Sequence, residues 1–226
     1  MSLSTELASQ ASWSRRAVGH LGWLRGAVGA ALGIAAAGGV TMLLVGGDAG
    51  ALPFLVAPIG ASAVLVFCVP ASPLAQPWPV VGGDLLSAAI GLAAGHLCGN
   101  PWLAASVGVG AAIAAMAAAR CLHPPGGACA LLCALGASGA DAWGAVYLLP
   151  IAANVVMLCG FGWLFNTFTG HPWPHRPPQV PAVSHPPYSR DDLAATLDEW
   201  NEVLDVDVDD LDALIQALLR RGRGGR

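Results

Sequence analysis

The chain has 226 residues, 55% of them hydrophobic and only 11% charged, with a formal net charge of -4. Soluble domains carry about 25% charged residues, and between Gly26 and Gly170 the only formal charges are Asp48, Asp84, Arg120 and Asp141. That stretch cannot be solvated like a globular surface, which excludes an ordinary soluble enzyme and reads as a membrane domain.

Met1 to Leu24 reads as a polar cytoplasmic arm, with Arg15 and Arg16 and with Trp13 and Trp23 as interface anchors. No small-residue cleavage site follows a short apolar core, so no secretory signal peptide is expected. Residues 25–170 form the membrane domain. Gly26 to Gly46 is a charge-free run long enough to span a bilayer as a helix, and its glycines and alanines suit close packing in lipid. Ala51 to Pro70 is a second segment, broken early by Pro53 and Pro58, and the loop A-S-P-L-A-Q-P-W-P follows. Pro79 to Cys98, Trp102 to Ala119, a short run to Leu135 and Trp143 to Phe165 complete the set.

These elements predict an all-α polytopic protein of six segments with both termini cytoplasmic. Arg15, Arg16, Arg25, Arg120 and Arg176 then fall at the inner face, and Asp48, Asn100 and Asp141 outside, in accord with the positive-inside rule. Four spans, with the two short segments dipping in, is the alternative count. A bacterial-type inner membrane is the expected location, and the bilayer is the first partner.

The chain resembles itself. P-I-G-A-S-A-V-L at Pro58 to Leu65 matches P-G-G-A-C-A-L-L at Pro125 to Leu132, and the runs from Trp78 to Gly95 and Trp143 to Gly160 have equal length. Three segments per half would set the halves in opposite orientation, the inverted repeat of many secondary transporters. Non-helical backbone survives in lipid only where protein covers it or where it lines a wet cavity. Each Pro-x-Gly-Ala element therefore reads as a helix start, with free N–H groups and a partial positive charge that suit an anion.

The candidate substrate-binding residues are Arg120, His123, Gly126, Gly127 and Ala128 in the second half, and Gly60, Ala61 and Ser62 in the first. Gly126 and Gly127 would let a ligand approach the backbone. Arginine supplies fixed charge and histidine a switchable one, so the expected ligand is a small oxyanion moved with a proton. Asp84 is a candidate ion-pair or coupling residue. The structural alternatives are a snorkelling anchor for Arg120, a loop-capping hydrogen bond for His123 and a loop cap for Asp84.

Cys68, Cys98, Cys121, Cys129, Cys133 and Cys159 sit in or beside apolar runs and read as small hydrophobes. Cys121-x-His123 lacks a second ligand pair, so neither a metal nor a cofactor is expected. No Ser/His/Asp motif or H-E-x-x-H signature marks an enzyme.

H-P-P-G-G-A at His123 to Ala128 resembles the signature of the HPP family of integral membrane proteins. A-P-I-G-A-S-A-V-L-V-F at Ala57 to Phe67 and S-P-L-A-Q-P-W at Ser72 to Trp78 are similar to two further blocks of that family, in the same order. Gly127 stands where alanine is commoner. The resemblance implies a multi-spanning domain usually described as four helices, against the six read above. It also implies transport, since plant relatives of the chloroplast envelope are linked to nitrite movement.

Residues 171–188 read as a proline-rich linker and 189–226 as a short tail holding ten of the chain's 14 acids. Ser189 to Trp200 and Asp209 to Arg221 are expected helices, the first capped by Ser189. D-V-D-V-D at Asp205 to Asp209 lacks the glycine and glutamate of a calcium loop. In longer relatives similar helices lead into paired CBS domains, so a naturally short chain and a truncated one are both open. The tail reads as a docking or oligomerisation segment of a homo-oligomer, with no nucleic-acid partner. The expected function is transport of a small inorganic anion, nitrite-like as lead. The alternative is a membrane sensor or scaffold acting through the tail.

Overall fold

Proline opens four helices of this protein in turn. At the first helical positions its missing N–H costs nothing and its fixed φ suits the helix. A computed structural model describes residues 3–44, 55–139, 141–177, 187–200 and 205–224. In chain order the helices are α1 (Leu3–Leu44), α2 (Pro58–Cys68), α3 (Pro77–Cys98), α4 (Pro101–Ala118), α5 (Pro124–Ala137), α6 (Leu148–Phe168), α7 (Arg190–Trp200) and α8 (Val208–Gly224).

Among the described residues, four stretches are long and apolar enough to cross a membrane: Gly22–Leu44, Pro77–Cys98, Pro101–Ala118 and Ala145–Phe168. The expected boundaries agree with these within a few residues. With 11 and 14 residues, α2 and α5 reach only about 16 and 21 Å at 1.5 Å per residue, short of the roughly 30 Å hydrocarbon core. They are half-helices. The expected arm and first span are one continuous helix, since no proline interrupts the chain from Leu3 to Leu44. Trp143 belongs to a turn before α6, where its ring stacks on Tyr147 at 4.3 Å and covers Gly136. Asp48, and the opening of the second segment at Ala51 with Pro53, lie outside the described residues, as does part of the linker.

Close contacts fix the helix directions. α1 and α2 run antiparallel, with Gly26 against Cys68 and Gly38 against Leu55. α6 runs antiparallel to α1, joined by Arg25–Asn166 at one end and Thr41–Asn154 at the other. α3 and α5 run parallel: a Cβ on Gly83 would meet His123, on Gly91 the Ala130 carbonyl, and on Gly95 the Ala134 carbonyl and Ala137. α4 returns antiparallel to α3, with Gly108 against Ala94 and Met116 against Gly83. Lipid gives helices no hydrophobic reason to associate, so such small-residue contacts carry the packing. Phe67 of α2 is fully buried where α1, α2 and α6 meet, edge-on to Phe165 at 5.7 Å and Phe161 at 6.1 Å.

The tail folds as expected, with an added docking contact. Ser189 caps α7, its hydroxyl accepting from Asp192 N at 3.1 Å while Asp192 accepts back from Ser189 N at 2.7 Å. Those returned bonds, the backbone one first, hold the exposed Asp192 carboxyl below the usual carboxylate range. Ser72, in the loop between α2 and α3, hydrogen-bonds Asp205, and His175 pairs with Asp210 at 3.0 Å.

Candidate functional site

The half-helices meet at one carboxylate. Asp84 is the eighth residue of α3, about 10 Å along it at 1.5 Å per residue, and is fully buried. Ser62, one turn into α2, lies with its Oγ 3.0 Å from Asp84 Oδ2. Cys129, one turn into α5, donates its thiol to Asp84 Oδ1 at 3.4 Å. Ser62 and Cys129 occupy equivalent positions of the two matched octapeptides, which thus converge on the same side chain.

His123 completes the cluster. A residue before proline is confined to extended backbone, and His123 takes φ -140°, ψ 110° as N-cap of α5. It is reached through Arg120, whose φ of 52° reverses the chain after α4, and through Cys121 N donating to Met116 O at 2.9 Å. This geometry turns the imidazole inward, fully buried, with Nε2 2.9 Å from Ser62 Oγ and 3.8 Å from Asp84 Oδ2. Nδ1 lies 2.8 Å from the Leu74 carbonyl. Leu74 sits in a short turn capped by Ser72 Oγ, which accepts from Leu74 N at 3.1 Å. The turn is tied down further by Gln76, donating to Pro70 O and Ser72 O, and by Trp173 Nε1, donating to Ala75 O at 3.0 Å.

One buried side-chain oxygen among the described residues has no partner, Ser87 Oγ. It is one turn beyond Asp84 on α3 and faces Gly126, where an added Cβ would come within 2.8 Å of it. Gly126 is thus buried for packing against α3, not open for ligand approach.

The other expected residues are placed differently. Gly127 is half-buried with open space beside it, and Ala128, Gly60 and Ala61 are exposed on the outer sides of α5 and α2. Arg120 is exposed and does not join the cluster. Asp84, the candidate ion-pair residue, faces His123. The helix starts also lack the free donors expected of them. Pro124 and Pro125 have no N–H, and Gly126 N donates to His123 O at 2.9 Å. In α2, Ile59 N and Gly60 N donate to Val56 O and Ala57 O, both at 3.1 Å. The helix dipoles still point inward, but polar side chains, not free backbone donors, line the cluster.

Several polar residues of the interior carried no motif. Arg25 donates to Phe67 O at 2.7 Å and to Asn166 Oδ1 at 2.9 Å, bolting α1 to α2 and α6. Asn154 of α6 accepts from Val56 N at 3.0 Å, just before α2, and Asn166 donates to Val66 O at 2.8 Å. The available signal was an asparagine within an apolar span, which needs internal partners.

An all-helical membrane protein, with an acid, an imidazole and hydroxyls gathered between two half-helices in its apolar interior, is the class that fold and site define. The chain belongs to the HPP family: the family model for the HPP transmembrane region matches residues 15–174, which bears out the resemblance of the three sequence blocks. It is similar to two transmembrane proteins of Dictyostelium discoideum, each 35% identical, over 120 and 121 residues. These alignments cover 50% and 51% of this chain but only 41% and 38% of the relatives. No solved structure matches it.

Proposed function

We propose that this protein carries a small inorganic anion across the membrane, with a nitrite-like oxyanion as lead substrate and the space around Asp84, Ser62, Ser87 and His123 as its site. The observation that carries this reading is Ser87 Oγ, buried and unpartnered beside the buried Asp84 and His123. Buried polar atoms are almost always paired, and ionisable groups within a membrane domain are functional candidates by default. Hydroxyls and the inward ends of two helix dipoles favour a small anion there.

The architecture supports the reading as well. The six helices alternate in direction, so Arg25 and Arg120 lie at one end of the bundle and Asn100 at the other. This alternation fits the six-segment reading, with the start of α1 and the end of α6 at the arginine end, which the positive-inside rule makes cytoplasmic. Exchanging α1 with α4, α2 with α5 and α3 with α6 turns every substantial contact pair of this bundle into another: α1–α2 into α4–α5, α1–α6 into α3–α4, α2–α6 into α3–α5. α2–α5 and α3–α6 map onto themselves. That closure favours an inverted repeat whose third helices pack with the opposite half. Thiol labelling of Arg120→Cys from the cytoplasm and Ser138→Cys from outside is expected. The reverse pattern would overturn this orientation.

Reconstitution tests the function. Nitrite flux into vesicles of the full chain should exceed that of protein-free vesicles. It should fall by about tenfold or more in Ser87→Ala, in keeping with loss of a hydrogen bond to a charged ligand of about 1.5–3 kcal/mol, and should persist in Arg120→Ala. Nitrite, nitrate, formate and bicarbonate flux equal to the protein-free control would sink transport of these anions.

A second reading has an observation of its own. Asp205 of the tail binds Ser72, which caps the turn whose Leu74 carbonyl holds His123. A sensor or scaffold could use that chain of contacts to report on the interior through the tail. Flux-inactive protein whose tail accessibility changes on adding nitrite would favour it.

A further inference from the structure

The cluster around Asp84 is one hydrogen short. His123 Nδ1 faces the Leu74 carbonyl at 2.8 Å, a group that only accepts, so Nδ1 carries a proton. Nε2 of a neutral imidazole is then an acceptor, 2.9 Å from Ser62 Oγ. Ser62 Oγ is also 3.0 Å from Asp84 Oδ2, which in an ionised carboxylate is an acceptor too. One hydroxyl hydrogen cannot serve both. With neutral His123 and ionised Asp84, one of two close, fully buried contacts would set lone pair against lone pair, a costly arrangement at low dielectric.

The surroundings do not relieve this. From α5, the Cys129 thiol serves the other carboxylate oxygen, Oδ1, at 3.4 Å. Cys133 of α5 neighbours Cys129, and Cys159 of α6 lies within electrostatic reach of Asp84, but neither hydrogen-bonds it. α4 presents Met116, and Cys121 sits beside Gly83. Among the described residues, His123 is the basic group within ion-pair distance of Asp84.

One added proton resolves the conflict in two ways. On Asp84 Oδ2 it donates to Ser62 Oγ, which donates to Nε2. On Nε2 it donates to Ser62 Oγ, which donates to the carboxylate. We propose that Asp84, Ser62 and His123 form a proton site that holds one exchangeable proton and passes it between Oδ2 and Nε2 through the Ser62 hydroxyl. In the transfer the Oδ2–H bond breaks as a new Oγ–H bond forms, and the original Oγ–H bond breaks as Nε2–H forms. No electron is gained or lost. The site's use in coupling rests on the transport reading, because the added proton removes the carboxylate's repulsion of an incoming anion; its occupancy does not.

Infrared and nitrogen nuclear magnetic resonance spectra of the full chain in lipid nanodiscs at neutral pH test this with no transported anion present. The expected result is a protonated-carboxyl band lost in Asp84→Asn, or imidazolium resonances lost in His123→Gln. Ser62→Ala removes one oxygen without adding bulk, and should displace whichever signal is present. An ionised Asp84 beside a neutral His123 overturns the proposal, and so does a signal indifferent to Ser62→Ala. Absence of anion flux with the proton signal intact overturns the transport reading alone.

Discussion

The half-helices α2 and α5 begin from nearly the same octapeptide and end in different company. Each opens on a proline, and each sends the fifth residue from its matched proline to Asp84, Ser62 to one oxygen and Cys129 to the other. Ahead of those prolines the halves part. At the place equivalent to His123 the first half has Val56, whose backbone N–H is taken by Asn154. On the third helices, Asp84 of α3 is matched in α6 by the apolar Ile151 or Leu149, depending on which repeat block sets the offset. The matched octapeptides converge on Asp84, but the cluster holds one acid and one base, where a symmetric site would have two of each. Two carboxylates so close would repel and compete for a single proton. One acid and one imidazole hold it between them.

The sharpest way to break this comparison is through the glycines that seat the half-helices: Gly33 and Gly162 meet side chains of α2, whereas Gly91 meets the backbone of α5. Gly91 lies directly against the Ala130 backbone, where no flexible side chain can yield, whereas a Cβ on Gly60 meets nothing within 4 Å. Gly91→Leu should push α5 off α3 and abolish the folded, monodisperse protein in detergent, an overpacking beyond the ordinary cost of about 1–3 kcal/mol. Gly60→Ala should leave the melting temperature nearly unchanged, within about 0.5 kcal/mol. Thermal unfolding followed by size-exclusion chromatography measures both. Tolerance of Gly91→Leu would mean that α5 is not seated directly on the α3 backbone.

The two arginines give the next effect, with opposite signs. Arg25 ties the first half together through Phe67 O and Asn166. Arg25→Gln should lower stability by about 1–3 kcal/mol, as expected when charged hydrogen bonds are lost from partly buried partners. Arg120, exposed at φ 52°, holds a backbone conformation that glycine adopts without strain. Arg120→Gly should raise stability by up to about 1 kcal/mol. If Arg120→Gly destabilises as much as Arg25→Gln, the arginine of the second half makes contacts comparable to those of the first.

Much of the fold was legible because its punctuation is local. The prolines at 58, 77, 101 and 124, and Asn100 capping α4 with bonds to Trp102 N and Leu103 N, mark the ends they make. His123 and Ser62 were grouped from the matched octapeptides and Asp84 stood as a candidate ion pair, but the contacts among the three were not legible. Ser62 and His123 are 61 positions apart, and only the packing of α2 on α5 joins them. Arg120 lies apart from the Asp84 cluster, and charge and neighbourhood in sequence do not give that direction. A left-handed residue after α4 turns the chain so that His123 enters the core and Arg120 leaves it. Gly126 was ambiguous for a similar reason, since small size serves ligand approach and helix packing alike, and the structure sets it against Ser87 of α3.

The smallest effect belongs to the two residues that make the halves equivalent. Ser62 bridges Asp84 and His123 through a hydroxyl, whereas Cys129 offers the same carboxylate a thiol, a weak donor, at 3.4 Å. Cys129→Ala should therefore lower stability by less than Ser62→Ala, about 0.5–1 kcal/mol against about 1–3 for a hydroxyl whose loss strands a buried charge. Cys129→Ser should recover the first loss, because a hydroxyl can take the thiol's place as donor in a cavity already large enough for sulfur. Melting temperatures of the three variants in one detergent decide it. A cost of Cys129→Ala equal to that of Ser62→Ala would make Asp84 a shared hinge of both half-helices. The expected inequality instead makes it the partner of His123, with α5 contributing its base and α2 the hydroxyl between them.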